Sequence, residues 1–119
     1  SNIGLVKSRK ANKMAKKRLA AAGKLLAEKD KEKFYDEIFR ALWGYISDKL
    51  GIPPADLSKD SAAQALKLKN VSDESVSKIV ATLDYCEFAR FASQGGSISQ
   101  ENIYKDAIAI ITKIEDEVK

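Results

Sequence analysis

The chain has 119 residues, a formal net charge of +4, 45% hydrophobic and 32% charged residues, no histidine and a single cysteine. Length and composition suit one globular domain and exclude a disordered chain; no run of about 18 uncharged apolar residues supplies a membrane span, and no apolar h-region follows the basic start. The missing histidine removes the commonest general base and metal ligand, while Cys86 alone closes no intrachain disulfide, which suits a reducing compartment.

The charge is unevenly placed. Lys7, Arg9, Lys10, Lys13, Lys16, Lys17, Arg18 and Lys24 all precede the first acid, Glu28. Residues 1–29 hold nine bases against that one acid, and residues 30–119 hold twelve bases against sixteen. Any attraction to an anionic partner therefore belongs to the N-terminal quarter.

Apolar residues recur at helical spacing throughout, with no run of strand alternation. A first helix is predicted from Ser8 to Glu28, with Ala11, Ala15, Leu19, Ala22 and Leu26 on one stripe joined by Met14, Ala21 and Leu25. These small residues suit close helix–helix approach, and Gly23 inside the stripe implies a packing reason, since glycine costs about 1 kcal/mol against alanine there. Asp30 is the predicted N-cap of the second helix. That helix carries Phe34, Ile38, Leu42, Ile46 and Leu50, with Tyr35, Phe39 and Trp43 beside them, a face wide enough for a central position. Gly51 fits its C-terminal end and Pro53–Pro54 prevent continuation.

A short third helix follows, capped by Ser58 or Asp60. Ser72 caps a fourth, with Asp73 and Glu74 at its positive end and Val71 placed to staple onto Val76. Gly95–Gly96 make the next loop, Ser99 caps the fifth helix, and Ile98 is placed to staple onto Ile103. The last helix sets Ile103, Ala107, Ile110, Ile111, Ile114 and Val118 on its buried face. The expected fold is an all-α, five-helix bundle opening with an αα-hairpin, a tetratricopeptide-like pair without the repeat that would make an array. Residues 8–119 form its single domain.

No catalytic, cofactor-binding or metal-ligating set emerges. Cys86, without a histidine to activate it and at helical spacing with Ile79 and Leu83, reads as a small buried hydrophobe. Asp84 and Glu87 stand three apart, as an acid/base pair could, but Arg90 is placed three beyond Glu87 to pair with it. No glycine-rich phosphate loop, zinc spacing or calcium loop is present. Trp43 reads as core. Tyr45 falls between stripes, keeping its hydroxyl in water, and with Asp84, Glu87 and Arg90 it marks a candidate partner surface.

The stretches "FYDEIFRALWGYISDKLGIPPADLS" and "LDYCEFARFA" resemble the cytoplasmic C-terminal region of the Bacteroides aerotolerance protein BatD family, as does the terminal "IYKDAIAIITKIE". Phe91-Ala92-Ser93 departs from the tyrosine, alanine and proline usual there. The resemblance spans nearly the whole chain. It implies a helical domain on the cytoplasmic face of a bacterial inner membrane, a single-pass parent, and a neighbourhood of von Willebrand factor A-domain proteins and a MoxR-type AAA+ ATPase. It brings no catalytic residues.

On that reading residues 1–7 are a protease-cleavage scar (Ser1-Asn2) and the end of a segment leaving a bilayer, through Ile3, Leu5 and Val6. Lys7, Arg9, Lys10, Lys13, Lys16, Lys17 and Arg18 then form a positive-inside cluster facing anionic lipid headgroups. The expected function is a non-catalytic protein-interaction domain. The alternative is a nucleic-acid-binding domain using the basic helix, disfavoured by the acidic remainder and the lack of aromatics for base stacking in residues 1–29.

Overall fold

The computed structural model describes residues 2–28, 30–92 and 98–118, with side chains from residue 11 onward. Five α-helices and one 3₁₀ turn account for most of them: α1 Asn2–Leu25, α2 Lys31–Leu50, the 3₁₀ turn Pro54–Asp56, α3 Lys59–Leu68, α4 Asp73–Phe91 and α5 Gln100–Glu117. Among the described residues there is no strand, and the all-α bundle expected from the periodicity is the fold. The expected loop glycines, Gly95 and Gly96, lie outside the described residues.

Caps set most of the boundaries. Asp30, Ser58, Ser72 and Ser99 each accept, through the side chain, a backbone N–H three residues on, at 3.1, 3.0, 3.2 and 3.1 Å. At α3 the choice between Ser58 and Asp60 falls to Ser58, because Ser61 Oγ also accepts from the Ser58 N–H and completes a reciprocal box. α2 ends where Gly51 adopts φ +68° and its N–H reaches Ser47 O. Ser47 Oγ then donates to Ile52 O at 2.6 Å. Asn70, with φ +70°, turns the chain after α3, a conformation asparagine tolerates better than most side chains.

α1 begins six residues sooner than the spacing predicts and ends three residues earlier. It continues through residue 7. Its far end tightens into a turn in which Leu26 N–H and Glu28 N–H reach the carbonyls of Gly23 and Leu25, so Leu26 sits only half-buried beyond the last regular turn.

α2 is the centre of the bundle. It packs against every other helix, whereas α1 and α4 do not touch each other among the described residues. Phe34, Tyr35, Ile38, Ala41, Leu42, Tyr45 and Ile46 are all buried on it. Its hairpin partner α1 presents Ala11, Ala15, Leu19 and Ala22, all buried, while the neighbouring Met14 and Ala21 face out. The expected packing reason for Gly23 is α5: a Cβ there would stand 2.8 Å from Tyr104 Oη. Val71 and Val76 are both buried, as a staple requires; Ile98 is 37% exposed and lines the same groove as the buried Ile103. The backbone of Ile98 is held by Tyr85, whose hydroxyl donates to Ile98 O at 2.9 Å and accepts from Ile98 N at 3.1 Å.

At Gly51 nothing lies within 4 Å of an added Cβ, so Gly51→Ala meets only the left-handed backbone penalty, about 1–2 kcal/mol. Urea unfolding should show that loss with an unchanged slope, and a stability equal to wild type would remove the cap from the account. A second prediction concerns alkali. Burial lifts the Cys86 thiol from 9.0 to about 12, Glu87 adding to the effect, and lifts the Tyr35 phenol from 10.0 to about 12, helped by Tyr85. Both groups keep their proton longer folded than unfolded. Their contribution is thus complete below pH 9.0 and is lost as pH climbs through 10.0 toward about 12. Melting temperature should fall steadily across that window, and a flat profile would contradict it.

Candidate functional site

α1 turns one face to α2 and the opposite face to water. At 100° per residue, Lys13, Lys16, Lys17 and Lys24 lie opposite the Ala11–Ala15–Ala22 stripe, and all four side chains are exposed. They span about 16 Å along the helix at 1.5 Å per residue. The reason they stand out is electrostatic. α1 carries no acid of its own, and no carboxylate among the described residues lies within ion-pair distance of these four. Many bases elsewhere are paired: Lys49 with Glu115, Lys59 with Asp84 and Glu87, Lys78 and Lys113 with Glu74, and Arg40 and Arg90 with Asp36. Lys33 and Lys69 are likewise exposed and outside the ion pairs, but on α1 four such lysines share one helix face.

Not all of the predicted basic residues join it. The backbone of Lys7, Arg9 and Lys10 is within α1, and their side chains lie outside the described residues. Arg18 turns away from the lysines. Its guanidinium lies over Gly44 so closely that a Cβ there would collide, in a recess shared with Glu37, Phe39, Arg40, Trp43 and Pro54. Trp43 stacks on Phe39, ring centroids 6.0 Å apart and 26° from parallel. It is half-buried at the edge of the core, packed against it rather than enclosed.

Of the predicted partner surface, Tyr45 is not at the surface. Tyr45 is 1% exposed; its hydroxyl donates to Glu115 Oε2, which also pairs with Lys49 at 2.5 Å. The correction has a simple cause. α5 docks over the flank of α2 that the stripe pattern leaves open, and a buried phenol must find an acceptor. Arg90 does not take Glu87. It reaches across to Asp36 at 3.0 Å, while Asp84 and Glu87 converge on Lys59 from α3. All four candidates thus make cross-links between helices, and Asp84 and Glu87 do so with exposed side chains.

The surface that the sequence reading missed is aromatic. Phe88 and Phe91 are 62% and 70% exposed at the end of α4. The Arg90 guanidinium stacks on the Phe91 ring at 4.5 Å, and Phe88 tilts against Tyr85 at 6.3 Å. A signal was present, because both phenylalanines fall off the Ile79–Leu83–Cys86 stripe. Cys86 is fully buried, as expected of a small hydrophobe. Among the described residues no group of three or more His, Cys, Asp or Glu side chains could hold a metal, and no helix is long and apolar enough to cross a membrane.

Tyr45→Phe distinguishes the buried from the exposed reading. Removing a buried hydroxyl bonded to a carboxylate should cost about 1–3 kcal/mol, read as a lower unfolding midpoint; a change within about 0.5 kcal/mol is what a surface tyrosine would give. Compared with protein-family models, with curated proteins and with solved structures, the chain gives no match.

Proposed function

We propose that this chain is a non-catalytic interaction domain, held at the cytoplasmic face of a membrane as part of a BatD-like protein, with the outward face of α1 lying against anionic headgroups. The single observation that carries the proposal is the row of four exposed lysines without a carboxylate partner in a protein whose other bases are largely paired. The resemblance of the Trp43 block and of the Leu83–Arg90 stretch supports the membrane-anchored parent. The exposed Phe88 and Phe91 leave the far end of α4 as the surface for a protein partner, and von Willebrand factor A-domain proteins and a MoxR-type ATPase are the partners that the resemblance implies.

A nucleic acid would be drawn by the same lysines, but it would also meet the acidic remainder of the chain, and α1 offers no aromatic ring for stacking. A lipid surface needs neither base stacking nor a groove.

The test is sedimentation with phosphatidylcholine vesicles with and without phosphatidylglycerol. Each lysine near an anionic surface contributes about 1 kcal/mol. Replacing Lys13, Lys16, Lys17 and Lys24 by Gln should therefore weaken binding on the order of a hundredfold or more, and raised salt should do the same. Lys67→Gln with Lys105→Gln, two exposed lysines outside α1, should have little effect. Binding indifferent to the four substitutions overturns the proposal, and tighter, salt-dependent binding of duplex DNA through the same lysines would install the nucleic-acid reading in its place.

A further inference from the structure

Beside the lysine row, α1 and α5 leave a crevice of about 170 Å³, lined by Leu19, Ala20, Tyr104, Ile108, Ile111 and, at its lip, Lys16. Ile108 is 41% exposed there, and the neighbouring Thr112 hydroxyl is already spent on the Ile108 carbonyl at 2.9 Å. The walls are therefore nearly all carbon, and the crevice opens to solvent at Lys16, Ala20 and Ile108, so a short alkyl chain entering it would trade water for apolar contact. Tyr104, one of the walls, also fills the place that a Cβ on Gly23 would occupy.

A larger groove between α4 and α5, about 310 Å³, does not combine these properties. Its two rim lysines, Lys78 and Lys113, both pair with Glu74 at 3.4 and 3.5 Å, and Asp106 stands in its wall. At the α1/α5 crevice the ammonium at the lip is unpaired among the described residues, and Lys13 and Lys17 are its neighbours on the same exposed face.

We infer that the α1/α5 crevice binds an anionic amphiphile, its phosphate head on Lys16 with Lys13 and Lys17 and the first carbons of its alkyl chain between Ala20, Tyr104 and Ile108. This rests on the cationic-face reading and deepens it: the face does not only lie on charge, it takes one chain. A flat surface of charge would need no cavity, and a cavity for a neutral apolar ligand would need no unpaired ammonium at its mouth.

The probes are octyl phosphate, inorganic phosphate, and phosphatidylcholine vesicles containing phosphatidylglycerol, read by the methyl resonances of Ile108 and Ile111 and by vesicle sedimentation. Octyl phosphate should shift both methyls, and inorganic phosphate should leave them in place. Ala20→Phe, at an exposed position, should plug the mouth, abolish the methyl response and weaken octyl phosphate roughly tenfold, the loss of about two buried methylenes. Ile108→Asn should do likewise from the other wall, with helix content unchanged in both. A methyl response to vesicles as well assigns the ligand to a bilayer lipid; a response to dispersed octyl phosphate alone assigns it to a free amphiphile. Silent methyls, or wild-type affinity in Ala20→Phe, overturn the inference, as they would if the crevice instead received a side chain from an acidic protein helix. Vesicle sedimentation that still depends on the four lysines but ignores Ala20→Phe would sink the crevice alone and leave the cationic face standing.

Discussion

The arrangement depends on one contact, the small-residue stripe of α1 against the broad face of α2. Ala11, Ala15 and Ala22, with Leu19 among them, are buried on α1, and α2 carries a broad buried face that includes Phe34, Ile38, Leu42 and Ile46. Because the stripe is narrow, little else on α1 can be buried. Every lysine from Lys13 to Lys24 is left in water, and only Arg18, at the margin, is folded over Gly44. Packing and charge are thus one constraint: a wider apolar face on α1 would have swept part of the lysine row into the interface, where unpaired ammoniums are costly.

The same division runs through the ion pairs. The acids of the chain lie from Glu28 onward, and they are used to tie helices together: Asp36 joins α4 to α2, Glu115 joins α2 to α5, and Asp84 with Glu87 joins α3 to α4. Exposed members of such pairs contribute little stability one by one, but they leave few of those bases available to a ligand. α1 has no such tie through Lys13, Lys16, Lys17 or Lys24. Its attachment is apolar, so its charge remains available, and the crevice against α5 gives that charge an apolar complement.

Much of this was legible from residue order, because the informative signals are local. An N-cap is a serine or aspartate and the N–H three residues on, so Asp30, Ser72 and Ser99 could be placed from the sequence, as could the left-handed Gly51. The five apolar stripes gave the fold class for the same reason. What failed was set by tertiary geometry. Tyr45, four residues after Ala41 and seven after Ile38, shares the buried face of α2, and the acceptor that lets its hydroxyl be buried, Glu115, comes from α5. Arg90 has an acid three residues earlier, yet a better-placed carboxylate reaches it from α2. The cationic cluster was visible as a count of lysines, and helical spacing divides it, since Arg18 stands three after Ala15 and four before Ala22; its resting place over Gly44 is set by the packing of α1 on α2.

Amide hydrogen exchange along α1 tests the central claim most directly. If the alanine stripe docks α1 on α2 as a continuous helix, the amides from Ala11 to Leu25 should be protected to a degree comparable with those of α2, and protection should fall when Ala15 is replaced by Lys. Exchange of that segment at the rate of an open chain, beside a protected α2, would mean that α1 is not held in place. The ordered lysine row and the crevice beside it would then both be lost.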